Sequence, residues 1–380
     1  MIDFRYHLVS IVAVFLALTV GLVLGTTMLQ DPLLNTLQSE TADLRSQSED
    51  LRAERDAADQ VNAGADRMAE AVSDDTLAGL LTDLGVVVVT APGADTETAD
   101  ALAGRVEQAG GEVVGRVQVT DAFLDAGNAT FVDELALQIT RDPQDLSGSP
   151  HEKAGAEIGR ALAASEEESS EDGSSGDGGP GDGEEASPSD DPSAQAEEGG
   201  DGGYDPSAVL EAFTEGGLIT VEGDPAESSD AVVVLAPAGG SSPEGQDPQT
   251  ANAVLNTITT ALHQEVGATV VAGDGPSARG EGMLAQARAA EAAFATVDVA
   301  SRPMGEVITV LALAENLEEA GGAYGIGEGV GGFLPDPLPE PRETSEESSG
   351  PSPEPTESGG ASGGEGGGTG EARRTARDGE

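Results

Sequence analysis

Asp95, Asp274 and Ser277 are the polar residues best placed to do chemistry in this chain. Asp274 and Ser277 follow the run Ala268–Ala272, and Asp95 follows Gly85–Thr90; both runs read as buried β-strands. Three turns share this position: Thr90-Ala91-Pro92-Gly93-Ala94-Asp95, Ala236-Pro237-Ala238-Gly239-Gly240 and Ala272-Gly273-Asp274-Gly275-Pro276-Ser277. In an open α/β sheet, ligands gather beyond the carboxyl ends of the strands, where the backbone amides of glycine turns could hold an anion. Gly93, Asp95, Gly273, Asp274 and Gly275 are therefore the candidate binding residues. The same turns would equally serve to close a sheet edge. None is a G-x-G-x-x-G turn or a lysine-bearing P-loop. His263 precedes the Ala268–Ala272 strand, at the end away from Ser277, so no Ser–His–Asp arrangement forms. The chain reads as noncatalytic.

Metal chemistry is equally sparse. Cysteine is absent, which excludes disulfides, iron–sulfur clusters and thiolate sites. His7, His151 and His263 are far apart, and Met1, Met28, Met68, Met283 and Met304 are scattered without ligand spacing. Acid pairs such as Asp74-Asp75 read as helix starts. The formal charge is −54, from 71 acidic and 17 basic residues, with Lys153 the sole lysine. Nucleic-acid binders need a basic footprint, so that class is excluded. An acid-rich, lysine-poor surface suits a salt-rich medium, where its self-repulsion is screened.

The elements that would position these residues are α/β in character. Gly85–Thr90, a helix over 96–110 and Glu112–Thr120 form a strand–helix–strand unit. Asp121–Leu124 begins a turn or helix, and residues 131–140 and 153–164 read as helical. Leu218–Val221, Ala231–Ala236, Ala268–Ala272 and Thr296–Val299 read as strands, with helices over 252–264 and 282–293. Val307–Leu313 completes the strand set, although that run could enter a helix through Glu315. Strands alternating with helices imply a mostly parallel sheet. The expected organisation is a membrane anchor over 1–30, a helical stalk over 31–75 and a head in two parts, 76–164 and 204–334. An acidic linker over 165–203 separates the two parts, and a Pro/Gly/Ser/Glu tail spans 335–380; both compositions predict disorder. One head domain, interrupted by the linker, is favoured over two small ones.

Leu8 to Leu29 is 22 residues without a formal charge. As a helix it extends roughly 33 Å, enough to cross a hydrocarbon core of about 30 Å. It is too long for a signal-peptide core and offers no clean A-x-A cleavage site, so a retained anchor is expected. Arg5 before it and Asp31 after it place the N-terminus in the cytoplasm and the body outside. Gly21 and Gly25 form a G-x-x-x-G pair that lets membrane helices approach closely. Pro32 fits the first turn of a new helix. In that helix Leu37, Leu44 and Leu51 repeat at seven, continued by Ala58 and Ala65. The companion stripe is Glu40, Gln47 and Glu54, then Val61 and Met68. This is a partial coiled coil, so a homo-oligomer joined through membrane helix and stalk is expected.

The N-terminal run Met1-Ile2-Asp3-Phe4-Arg5-Tyr6-His7-Leu8-Val9-Ser10, with Val14–Leu18 and Gly21–Gly25, closely resembles the actinobacterial copper transporter family MctB. The resemblance continues through Leu37, Leu44 and Leu51, and resumes at Val87–Asp95 and Val119–Leu124. Later echoes are Gly216–Val221, Val297-Asp298 and Tyr324-Gly325-Ile326-Gly327. It covers most of residues 1–330 apart from the linker. It implies a membrane or outer-membrane protein that limits intracellular copper by forming or supporting an efflux channel. Copper then enters as a transported ion and not as a bound cofactor, and the partners are the lipid membrane and other copies of the chain. The alternative is a noncatalytic envelope scaffold that docks a protein partner.

Overall fold

The computed structural model describes residues 4–141, 143–144, 146–163, 204–226, 229–239, 246–318 and 321–342. The expected acidic linker over 165–203, the tail beyond 342 and Gly240 lie outside these residues.

One helix, α1, runs without interruption over Phe4–Leu77. The expectation of a second helix starting at Pro32 is corrected. A proline inside a helix removes one backbone bond, and strong helix formers on both sides carry the chain through. Asp74 and Asp75 lie in the last turns of α1 and do not start a helix. Phe4–Gly25 is long and apolar enough to cross a membrane, and its side chains are exposed throughout.

Beyond α1 the elements are β1 (Gly85–Thr90), α2 (Thr96–Gln108), β2 (Glu112–Val119), α3 (Asp121–Leu124), α4 (Ala129–Ile139) and α5 (Pro150–Ala163). Next come α6 (Pro206–Glu215), β3 (Ile219–Gly223), β4 (Ala231–Leu235), α7 (Pro248–Val266) and β5 (Ala268–Ala272). The last are α8 (Met283–Ala289), β6 (Ala295–Val297), α9 (Pro303–Asn316) and β7 (Ala323–Tyr324). The strands form one sheet in the order β3-β2-β1-β4-β5-β6-β7. All pairings are parallel except β2 with β3. β1 pairs with β4, so the segments before and after residues 165–203 share one sheet.

The centre of the sheet explains itself. Val86, Val87 and Val88 of β1 and Ala231 to Val233 of β4 are at most 1% exposed. Continuous β-branched runs suit strands covered on both faces. Each valine so buried contributes about 1.5–3 kcal/mol of transfer free energy. On one face Val87, Val89, Val232 and Val234 pack against α4 to α8, through residues such as Phe213, Leu255 and Leu284. On the other, Val86, Val88, Val233 and Val270 pack against α2, α9 and the end of α1.

Val307–Leu313 belongs to helix α9, which corrects its reading as a strand. The run is apolar all round because α9 lies between the sheet and α1, with α2 packed along its side. A helix buried on every side shows no polar stripe. Pro303 in its first turn sets its start. β3 is antiparallel at the sheet edge, where Ile219 is buried and Thr220 exposed. The helix α6 and the two-residue strand β7 were not anticipated. Residues 335–342 run back toward the start of the head, where the Arg342 amide donates to the Gly79 carbonyl at 2.9 Å.

Candidate functional site

The strand order reverses between β1 and β4, which makes the loops after these strands the natural ligand crevice of such a sheet. The three glycine turns meet along this edge and are stitched sideways by backbone bonds. Ala91 N donates to Leu235 O (3.0 Å), Ala238 N to Gly93 O (3.1 Å), Ala236 N to Ala272 O (2.8 Å) and Gly273 N to Val297 O (2.9 Å). Gly93 turns the chain with φ +77°, a conformation that favours glycine.

Both candidate carboxylates hold the frame. Asp95 caps α2, accepting from Thr98 N (2.9 Å) and Thr98 Oγ1 (2.6 Å). These bonds, led by that from the Thr98 hydroxyl, hold its carboxyl below the usual aspartate range. Asp274 accepts from Ser277 N (2.9 Å) and from Gly239 N in the neighbouring loop (3.1 Å). Ser277 is buried and donates its hydroxyl to Asp274 O (2.7 Å). A side chain at Gly273 would strike Ser277 Oγ at 2.5 Å, whereas Gly275 borders open space near Arg279. A cleft of about 180 Å³ opens beside these turns, lined by Pro237, Gly239, Asn252, Ser277 and Arg279 among others. The structure thus joins Asp274, Ser277 and Gly239 directly, and Gly93 to them through Ala238. It leaves His263 in the last turn of α7, edge-on to Phe294. The cleft holds no nucleophile–base pair.

A second constellation escaped sequence reasoning. Arg288 of α8 and Asp298, just after β6, form an ion pair at 2.7 Å with side chains 5% and 0% exposed. Arg288 also donates to Thr296 Oγ1 (3.1 Å) and to the Tyr324 carbonyl (3.0 Å). Asp298 accepts the amides of Ile326 (2.9 Å) and Gly327 (2.8 Å). Gly325 adopts φ +121°, and a Cβ there would lie 2.0 Å from Asp298 Oδ1. The segments Val297-Asp298 and Tyr324-Gly325-Ile326-Gly327 are thus two halves of one lock. Two more meet likewise, where Thr120 Oγ1 donates to Gly217 O (2.8 Å) and Leu218 O (2.9 Å).

The joint between α1 and the head is polar. Arg302 pairs with Asp66, and this bond raises the guanidinium's pKa above its usual value. Arg105 binds Glu306 (3.0 Å) and Ser73 (3.3 Å), and Gln108 donates to Ser73 (2.9 Å). The His151 ring donates Nε2–H to Phe123 O (2.9 Å), and burial lowers its pKa. Among the described residues no group of three or more His, Asp or Glu could hold a metal ion.

Comparisons with known proteins point to one family. A family model described as copper transport outer membrane protein, MctB, matches residues 1–335. The copper transporter MctB of Mycobacterium leprae (strain TN) is 29% identical over 337 residues, covering 87% of this chain and 98% of that protein. The copper transporters MctB of Mycobacterium tuberculosis (strain CDC 1551 / Oshkosh) and Mycobacterium bovis are each 38% identical over 129 residues. Those alignments cover 34% of this chain and 41% of each relative, so the match spans about two fifths of their length.

Proposed function

The chain belongs to the MctB family, whose model spans anchor and head alike, and on that premise we propose that it limits intracellular copper by supporting copper efflux at the cell envelope. The family match over residues 1–335 is the observation that carries this reading. The protein is membrane-associated, through Phe4–Gly25. Arg5, in the first turn of the anchor, favours a cytoplasmic N-terminus and an extracytoplasmic head.

Copper is cargo in this account. Copper(I) favours cysteine and methionine ligands, and copper(II) favours nitrogen. The chain has no cysteine, and the two head histidines are separated and half-buried or buried. One apolar helix has no lumen, so a conducting path through this protein requires several copies, joined along anchor and stalk. The cleft lined by Gly239, Asn252, Ser277 and Arg279, beside the turns that carry Gly93, Asp95, Gly273, Asp274 and Gly275, is the proposed place for a small polar group of a ligand or partner.

A second reading is an envelope scaffold that docks a protein partner. It is favoured by Phe333, Leu334 and Leu338, which stand partly exposed around a cleft of about 580 Å³ beside β7. Deletion of the gene separates the two. Efflux support predicts raised cellular copper and copper hypersensitivity, both reversed when the gene is restored. Unchanged copper and tolerance would remove the efflux reading and leave the scaffold.

A further inference from the structure

The head is docked on one flank of α1, and this selects which face of the stalk meets a second copy. We propose that two chains pair in parallel along a seam formed by Leu37, Leu44, Leu51, Ala58, Ala65 and Val72, with Val61 and Met68 beside it. The inference rests on the oligomeric reading of the stalk given above.

In a seven-residue repeat the first six residues share position a, and Val61 and Met68 share position d. Along the upper stalk Ala65, Asp66, Ala69, Ser73, Thr76 and Leu77 are half-buried or buried. They fall at a, b, e, b, e and f, so all but Ala65 lie to one side of that seam. Arg302 on Asp66 and Arg105 on Ser73 fix the head there. The seam beside it stays open: Val61 is 72% exposed, Met68 68% and Val72 42%. The other heptad assignment, with the leucines at d, would put Ala69 and Thr76 at a beside Ala65, three half-buried positions against one, and would leave Val61 and Met68 off the seam. The second helix would then meet the head. Docking of the head therefore leaves the a-position register as the one open to a partner.

Charge agrees with this register. In a parallel pair, position g of one helix faces position e of the other five residues on. That places Asp50 against Arg55 of the second copy. Glu54, at a seam position, borders the same guanidinium. Within its own helix Arg55 reaches only exposed partners, Asp56 at 3.2 Å and Asp59 at 3.8 Å. The lower seam carries Glu40 and Gln47, so pairing is strongest in the upper stalk, next to the head. Parallel direction follows from the shared anchor: copies in one membrane enter from the same side, at a raised effective concentration. Val9, Leu16 and Val23 continue position a into the anchor, since α1 is unbroken. Gly21 and Gly25 fall at f and c, off this seam.

The chain contains no cysteine, so one introduced thiol is the sole one. Full-length Val61→Cys and Met68→Cys, oxidised mildly in native membranes, should form covalent dimers several-fold faster than Arg67→Cys, an exposed neighbour off the seam. Arg55→Glu should slow cross-linking of Val61→Cys, and adding Asp50→Arg should restore it. Equal rates at 61, 67 and 68 overturn the register. Cross-linking at Gly25→Cys without any at 61 or 68 also overturns it, while the oligomeric reading survives. No cross-link at any position, together with a monomeric sedimentation mass in detergent, overturns both.

Discussion

At the scale of single residues, Arg288–Asp298 is the most buried ion pair among the described residues. Removing one partner strands a buried charge, at a cost of about 3–5 kcal/mol. Arg288→Ala should therefore lower the thermal midpoint of the detergent-solubilised chain by roughly 10 °C, at about 2–4 °C per kcal/mol for a body of this size. Asp95→Ala removes only a helix cap and should cost about 1 kcal/mol. Differential scanning calorimetry of the two variants distinguishes them; equal losses would contradict the lock. Protonation gives a further test. Burial lowers the pKa of His151 and of His263 below the ordinary histidine value. Groups depressed in the folded state contribute stability above their unfolded pKa of about 6.5, and that stability is lost as pH falls below it. The midpoint should hold between pH 8 and 7 and fall toward pH 5, less steeply in His151→Gln. Little of this was legible beforehand. Arg288 is one arginine among many charges, and its partner is ten residues away, across a helix-to-strand turn. The only sign of the lock was the pair of segments, Val297-Asp298 and Tyr324–Gly327, that resemble the MctB family. The cleft's aspartates were legible as strand-end residues. Their engagement as caps follows from turns that only the folded sheet brings together.

At the scale of elements, a close helix contact in the head, between α5 and α7, uses a G-x-x-x-G pair outside the anchor. Gly155 and Gly159 of α5 lie against the backbone of α7. A Cβ at Gly155 would lie 2.8 Å from Ile258 O, and one at Gly159 would lie 3.1 Å from the Leu262 Cα. Gly155→Val forces the helices apart and should cost at least about 1–3 kcal/mol, as overpacking does. Gly104→Val in α2 is the control, since nothing lies within 4 Å of a Cβ there. Urea unfolding midpoints measure the difference, and an equal loss in both would contradict this packing. The valine runs of β1, β4 and β5 were readable because nothing but a doubly covered strand suits them. Val307–Leu313 was not, because a helix buried on all sides and a central strand present the same apolar run. β7 was invisible at two residues long.

At the scale of the whole molecule, α1 joins the anchor to the head as one unbroken helix. From Gly25 to Asp66 it covers about 60 Å at 1.5 Å per residue. The sequence showed both ends of this span, the apolar run and the heptad leucines. Pro32 between them suggested a break that the helix does not make. Under the proposed function, copper efflux depends on a head held at a membrane by this helix. The most direct measurement is cellular copper in a deletion strain complemented either by the full chain or by a secreted form lacking Phe4–Gly25. Excess copper is expected on deletion, restored to normal by the full chain alone. Unchanged copper on deletion, or full restoration by the anchorless form, would contradict it.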